Sequence, residues 1–142
     1  MNRSKLILIL AVVFLVVVCS EAVETTYLRC EYLTDPIGID AANPRLSWLI
    51  SSSRRGEKQT AFQILVASSM KLLQNDKGDL WDSGKVVSDE TSQINYSGAP
   101  LFSRQTCFWK VRSWDRDGKP GDWSPAALQF EGKFEQGPWP CR

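Results

Sequence analysis

The sequence predicts an all-β, antiparallel sandwich of about seven strands, and three observations carry that prediction. Apolar residues recur at every second position through most of the chain beyond residue 44. Clusters of Gly, Pro, Asp, Asn and Ser interrupt the alternation at short intervals, as turns between strands do. Beyond residue 24, no segment keeps a helical period for more than about one turn.

The elements follow in order. In PRLSWLIS, Leu46, Trp48 and Ile50 point one way while Arg45, Ser47 and Leu49 point the other. The polar stretch SSSRRGEK, with Gly56, is a loop. In TAFQILVAS, Phe62, Ile64 and Val66 form one row and Ala61, Gln63, Leu65 and Ala67 the opposite row. Both rows are mostly apolar, so this strand is central, covered on one face and partly on the other. Met70, Leu72 and Leu73 fit a single helical turn, followed by a loop at Asn75 to Gly78. LWDSGKVVS reads as a strand bent at Ser83–Gly84, and SQINYS as a further short strand. Pro100 and Leu101 lead into the longer strand TCFWKVRSW, with Cys107, Trp109 and Val111 on one face and Lys110 and Arg112 on a solvated face. RDGKPGD is a hairpin loop built on Asp117–Gly118 and Pro120–Gly121. PAALQFEG closes the domain with Leu128 and Phe130 inward, and Ala127, Gln129 and Glu131 outward. About seven short antiparallel strands over roughly 100 residues are the pattern of an immunoglobulin-like or fibronectin type III-like sandwich.

Composition narrows the chemistry. The 142 residues are 43% hydrophobic and 23% charged, with a net charge of +1, which argues for a folded domain and against a nucleic-acid footprint. Histidine is absent, which removes Ser/His and Cys/His nucleophile pairs and most zinc sites; no cofactor or metal is expected. Residues 1–22 have the form of an export signal. Arg3 and Lys5 precede the apolar run Leu6–Val18, which is shorter than the ~20 residues that span a bilayer. Cleavage after Ala22 is the preferred site and frees the product from the membrane, into the periplasm or the medium. It also removes Cys19 and leaves Cys30, Cys107 and Cys141, an odd number. Cys30 and Cys107 are either a disulfide or two small buried thiols.

The stretch CFWKVRSWDRDGKPGDWS holds three of the six tryptophans. One reading is a carbohydrate-stacking platform of Trp114, Trp123 and Trp81, which would make the chain an independent carbohydrate-binding module. The other is packing, since aromatic residues at strand period fill cores and Trp109 shares its face with Val111. Asp115 and Asp117, or Asp79 and Asp82, invite comparison with a glycosidase acid pair. Their places beside Gly-containing bends favour turn duty instead. DRDG starts like a calcium loop but lacks the distal Glu, and Asn95-Tyr96-Ser97 is read as a chance sequon.

Four segments in order carry a family resemblance: CEYLTDPIGIDAANPRLSW, RRGEKQTAFQILVASS, DLWDSGKV and CFWKVRSWDRDGKPGDWS. Together they resemble the N-terminal domain of bacterial alpha-L-rhamnosidases, over nearly all of Tyr27 to Lys133. The resemblance implies a fibronectin type III-like domain, residues 25–132, at the front of a multidomain glycoside hydrolase. Residues 133–142, within GKFEQGPWPCR, depart from the family's usual continuation and are expected to be an irregular tail. Trp48, and the pair Trp109 and Val111, would be core residues of the second and sixth strands. Cys107 would stand where the family usually has a corner tyrosine. In the family the inverting acid and base lie on an (α/α)6 barrel much further along, so the resemblance assigns no catalytic residue to this chain. It makes the remaining domains of the parent enzyme the expected partners, with a rhamnoside as the alternative ligand.

Overall fold

The computed structural model describes residues 23–36, 39, 41–102 and 105–131, with side chains through residue 127. The expected leader at 1–22 and tail at 133–142, with Cys19 and Cys141, lie outside the described residues, as do the side chains of Leu128 and Phe130.

The expected sandwich is present. One sheet has the order β1 (Glu24–Cys30), β2 (Arg45–Ser51), β6 (Ile94–Asn95). The other has the order β4 (Trp81–Asp82), β3 (Ala61–Ala67), β7 (Thr106–Trp114), β8 (Ala127–Glu131). The short β5 (Val86–Val87) pairs with β3 alongside β4. Every pairing is antiparallel. The bend read at Ser83–Gly84 divides β4 from β5, with Gly84 at φ +61°. The helical turn is α1 (Met70–Gln74), with Ser69 as its N-cap.

The core lies where the alternation put it. Leu46 and Trp48 from β2 meet Phe62, Ile64 and Val66 from β3 and Cys107, Trp109 and Val111 from β7. Leu28 and Cys30 of β1, with Tyr96, close the cluster. Trp48 meets Phe62 edge-on, with ring centroids 5.1 Å apart. Each such side chain contributes roughly 1.5–3 kcal/mol on burial.

β1 hides its alternation behind a bulge. The register slips between Thr26 and Arg29, and Tyr27 takes a left-handed φ of 55°. Thr25, Leu28 and Cys30 therefore face inward at spacings of three and two, which no period-two reading finds.

The outer face of β7 differs from expectation. Lys110 is buried and Arg112 half-buried, where a solvated row was expected. Leu65, Ala67 and Leu73 form a second small core on that side, joined by Leu72, Phe108 and Trp123. Trp123 folds back over the strand. Lys110 Nζ lies 4.9 Å from its ring centroid and also pairs with Asp76; the Arg112 guanidinium lies 4.6 Å from the same ring. Long cationic side chains lay their methylenes along aromatic surface and pair their charged ends elsewhere, so charge on a strand does not guarantee exposure.

The two sheets share one buried polar group. Trp48 Nε1 donates to Gln59 Oε1 at 3.0 Å, and Ser113 Oγ donates to the same oxygen at 2.6 Å. Gln59 Nε2 donates to the carbonyls of Glu90 (2.7 Å) and Ser88 (3.2 Å), and Thr25 Oγ1 donates to Ser113 Oγ at 3.3 Å. Replacing Gln59 with Leu leaves the indole N–H and two carbonyls unpaired. It should lower unfolding stability by about 2–4 kcal/mol, measured by urea denaturation. A loss below about 0.5 kcal/mol would show that the network is dispensable.

Candidate functional site

The three tryptophans singled out from sequence are not gathered on one face. Trp81 packs against the main core, edge-on to Tyr96 at 5.3 Å. Trp114 is buried on the outer side of β7, with Lys85 at 4.9 Å and Arg112 at 5.0 Å from its ring centroid. Trp123 is half-buried on that same side beneath Lys110 and Arg112. Arg112 thus bridges Trp114 and Trp123 on the outer face of this sheet, while Trp81, on β4 of the same sheet, packs on its core side.

The carboxylates serve turns and ion pairs. Asp115 Oδ1 accepts from the backbone N–H of Asp117 (2.9 Å) and Lys119 (2.8 Å), holding the hairpin whose Gly118 takes φ +75°. Arg54 Nη1 lies 2.8 Å from Asp117 Oδ2, 3.5 Å from Glu57 Oε2 and 3.8 Å from Asp115 Oδ2. The hydrogen bond from Arg54 holds the Asp117 carboxyl below its ordinary range. A glycosidase acid needs the opposite, a carboxyl kept protonated near neutrality. Asp79 accepts from the Ser68 N–H at 2.9 Å, and Asp82 Oδ1 from the Gly84 N–H at 2.8 Å. Asp79, Asp82 and Asp115 position backbone, and Asp117 is spent on its ion pair with Arg54.

Beside the Arg54 cluster is a polar surface cleft of about 200 Å³, lined by Ile50, Ser51, Ser52, Arg54, Gly56 and Glu57. A second cleft, of about 210 Å³, opens between the β1 bulge and the start of β8, with Thr26, Tyr27, Thr34, Asp35 and Pro125 in its wall. Neither brings two acids together in an apolar enclosure. Among the described residues no group of three or more His, Cys, Asp or Glu is disposed to hold a metal ion.

Where Cys107 stands in place of a corner tyrosine, Tyr96 of the same core cluster supplies a phenolic contact to backbone. This buried tyrosine directs its hydroxyl at the Ala99 carbonyl (2.7 Å), with the Leu80 carbonyl at 3.2 Å. A β-carbon at Gly98 would collide with the Leu80 carbonyl and the Tyr96 hydroxyl, so this contact needs glycine there. Sequence reading also passed over Tyr27 and Tyr32, which are exposed along with Leu33 and Leu49. The available signal was the pair of tyrosines flanking Arg29 in YLRCEY, which no turn requirement explains.

Cys30 and Cys107 are free, buried thiols. Burial pushes Cys30 up to about 12 and Cys107 up to about 11. The native protein should resist alkylation of both by iodoacetamide at pH 8, and react once unfolded in urea. Because the folded values are raised, their contribution to stability is complete below the ordinary thiol range, near ~8.5, and is lost as pH rises beyond it. Unfolding midpoints measured between pH 7 and 10 should fall over that interval, and less so in a Cys30→Ala, Cys107→Ala double variant.

Comparison with known proteins places this arrangement. Residues 25–134 match the family model described as Rha78A-like, N-terminal immunoglobulin domain. An alpha-L-rhamnosidase of Streptomyces avermitilis is 42% identical over 121 residues, covering 85% of this chain and 12% of that protein. The crystal structure of the Streptomyces avermitilis alpha-L-rhamnosidase complexed with L-rhamnose superposes with a TM-score of 0.73 at 45% identity, over 78% of this chain and 11% of that one. The alpha-L-rhamnosidase of Dictyoglumus thermophilum superposes with a TM-score of 0.78 at 37% identity, over 82% of this chain and 13% of that one. The chain therefore spans about one-eighth of the length of these relatives. With its sandwich, its core rows and this match in hand, the chain belongs to the family of Rha78A-like N-terminal immunoglobulin domains found in alpha-L-rhamnosidases.

Proposed function

We propose that this chain is the non-catalytic N-terminal accessory module of an exported alpha-L-rhamnosidase. The parent enzyme, by this reading, hydrolyses terminal alpha-L-rhamnosyl residues with groups supplied by domains beyond this one. The observation that carries the proposal is the match to the N-terminal domain of enzymes about eight times longer, joined to the state of the acids. Asp115 is engaged with the backbone N–H groups of a hairpin, and Asp117 pairs with Arg54, which holds its carboxyl low, the opposite of what protonating a glycosidic oxygen requires. The sandwich core is filled by side chains, so the module offers stability and surface, with its interior closed to a sugar. Export follows from the Arg3, Lys5 and Leu6–Val18 pattern, with cleavage after Ala22.

The purified chain should release no aryl alcohol from an aryl alpha-L-rhamnoside above background, and its tryptophan fluorescence should not change saturably with L-rhamnose. Turnover by the pure chain would overturn the accessory reading. A saturable fluorescence change abolished by Trp123→Ala would replace it with that of a carbohydrate-binding module. Sequencing the exported product should show Val23 as its first residue.

A further inference from the structure

The two outer faces of the sandwich are finished differently. Outside β3 and β7, the protein covers itself with α1, Trp123 and the Lys110 and Arg112 side chains. Outside β1 and β2 nothing comparable lies among the described residues. There Leu49 is opposite Thr26, Ser47 opposite Arg29, and Arg45 pairs with Glu31 at 2.8 Å, so these positions form one outward row. Onto that row the β1 bulge and the following turn add two tyrosines. Tyr27 stacks over the Arg29 guanidinium at 4.3 Å and Tyr32 over Arg45 at 5.0 Å. Tyr27, Tyr32, Leu33 and Leu49 are each more than half exposed.

The backbone is strained to make this surface. Tyr27, Glu31, Tyr32 and Asp35 all have left-handed φ, between 47° and 64°, without being glycine. Such conformations are uncommon outside glycine and persist only where the surrounding structure holds them. Exposed apolar and aromatic side chains beside arginine have the composition of an interface core.

We propose that this face is the docking surface for the downstream polypeptide of the same enzyme; the inference rests on the accessory reading above. Two observations select that occupant. The matched domain is N-terminal, and about nine-tenths of each relative lies outside it, covalently attached and at high effective concentration. The face also carries unequal charge. Arg45 is neutralised by Glu31, whereas Arg29 has no carboxylate within ion-pair distance among the described residues. The partner is therefore an apolar protein surface that presents a carboxylate to Arg29.

The chain's three tyrosines make a direct test, because Tyr96 is buried and serves as an internal control. Nitration with tetranitromethane, read by mass spectrometry, should modify Tyr27 and Tyr32 in the isolated chain and spare Tyr96. The same domain is then placed in the Streptomyces avermitilis enzyme, residues 25–134 replacing the matched segment. Nitration of Tyr27 and Tyr32 should fall about tenfold or more there, and Leu49→Asp should restore it while leaving the isolated chain's unfolding temperature unchanged. Undiminished nitration in the folded chimera would overturn the proposal. If hydrogen exchange shows protection instead around Val87 and Phe102, this face is wrong but the accessory reading stands. If no surface of the domain is protected and its deletion changes nothing, both fall. Nitration that decreases with concentration of the isolated chain would assign the face to a second copy and overturn the proposal. Should the chimera not fold, the same comparison between this chain and the complete exported enzyme that carries it decides.

Discussion

The buried amide of Gln59 is the constraint on which the two-sheet arrangement turns. A sandwich core gains most of its stability from apolar area, but area alone does not set how one sheet is placed over the other. Gln59 adds direction. It joins the Trp48 indole of one sheet to Ser113 of the other, and reaches the 88–90 loop through its N–H groups. Both ends of the amide are satisfied, so its burial costs little in this arrangement and much in any slipped one. Thr25 reaches the same cluster through Ser113, which locates the bulged β1 as well.

With the sheets fixed, their outer faces diverge. On the β3–β7 side, Ser124 ties the returning chain down, its N–H donating to the Val111 carbonyl at 2.8 Å and its hydroxyl accepting from the Val111 N–H at 3.1 Å. That tether holds Trp123 over Lys110 and Arg112. On the β1–β2 side the bulge turns Tyr27 outward, and no such flap returns among the described residues. Among the described residues the sandwich is thus covered on one side and uncovered on the other, a polarity suited to a module with a neighbour. The ionisable groups fit the same description: Arg54 holds the Asp117 carboxyl low, and burial holds the Cys30 and Cys107 thiols neutral.

Much of the fold was legible in the order of side chains. The rows Leu46–Trp48, Phe62–Ile64–Val66 and Cys107–Trp109–Val111 follow from period two, and the hairpin at Asp115–Gly118 from the chemistry of Asp and Gly in turns. β1 was not legible, because a bulge breaks the period. The exposed tyrosines were missed for the same reason. The tryptophans stood out as candidate ligand groups because sequence shows that a ring is present and not which surface covers it. Trp123 meets Lys110 thirteen positions earlier, a contact that loop geometry creates and no local pattern announces.

By itself the sequence determined the fold class, the membership of the main core and the family resemblance, because each depends on local period, turn chemistry and motif order along the chain. Tertiary structure alone decided which of two apolar-looking strand faces is covered, which tyrosine makes the buried contact to backbone, and which aromatic residues meet water. These depend on segments distant in sequence meeting in space, where a one-residue bulge or a returning loop reverses what a face exposes.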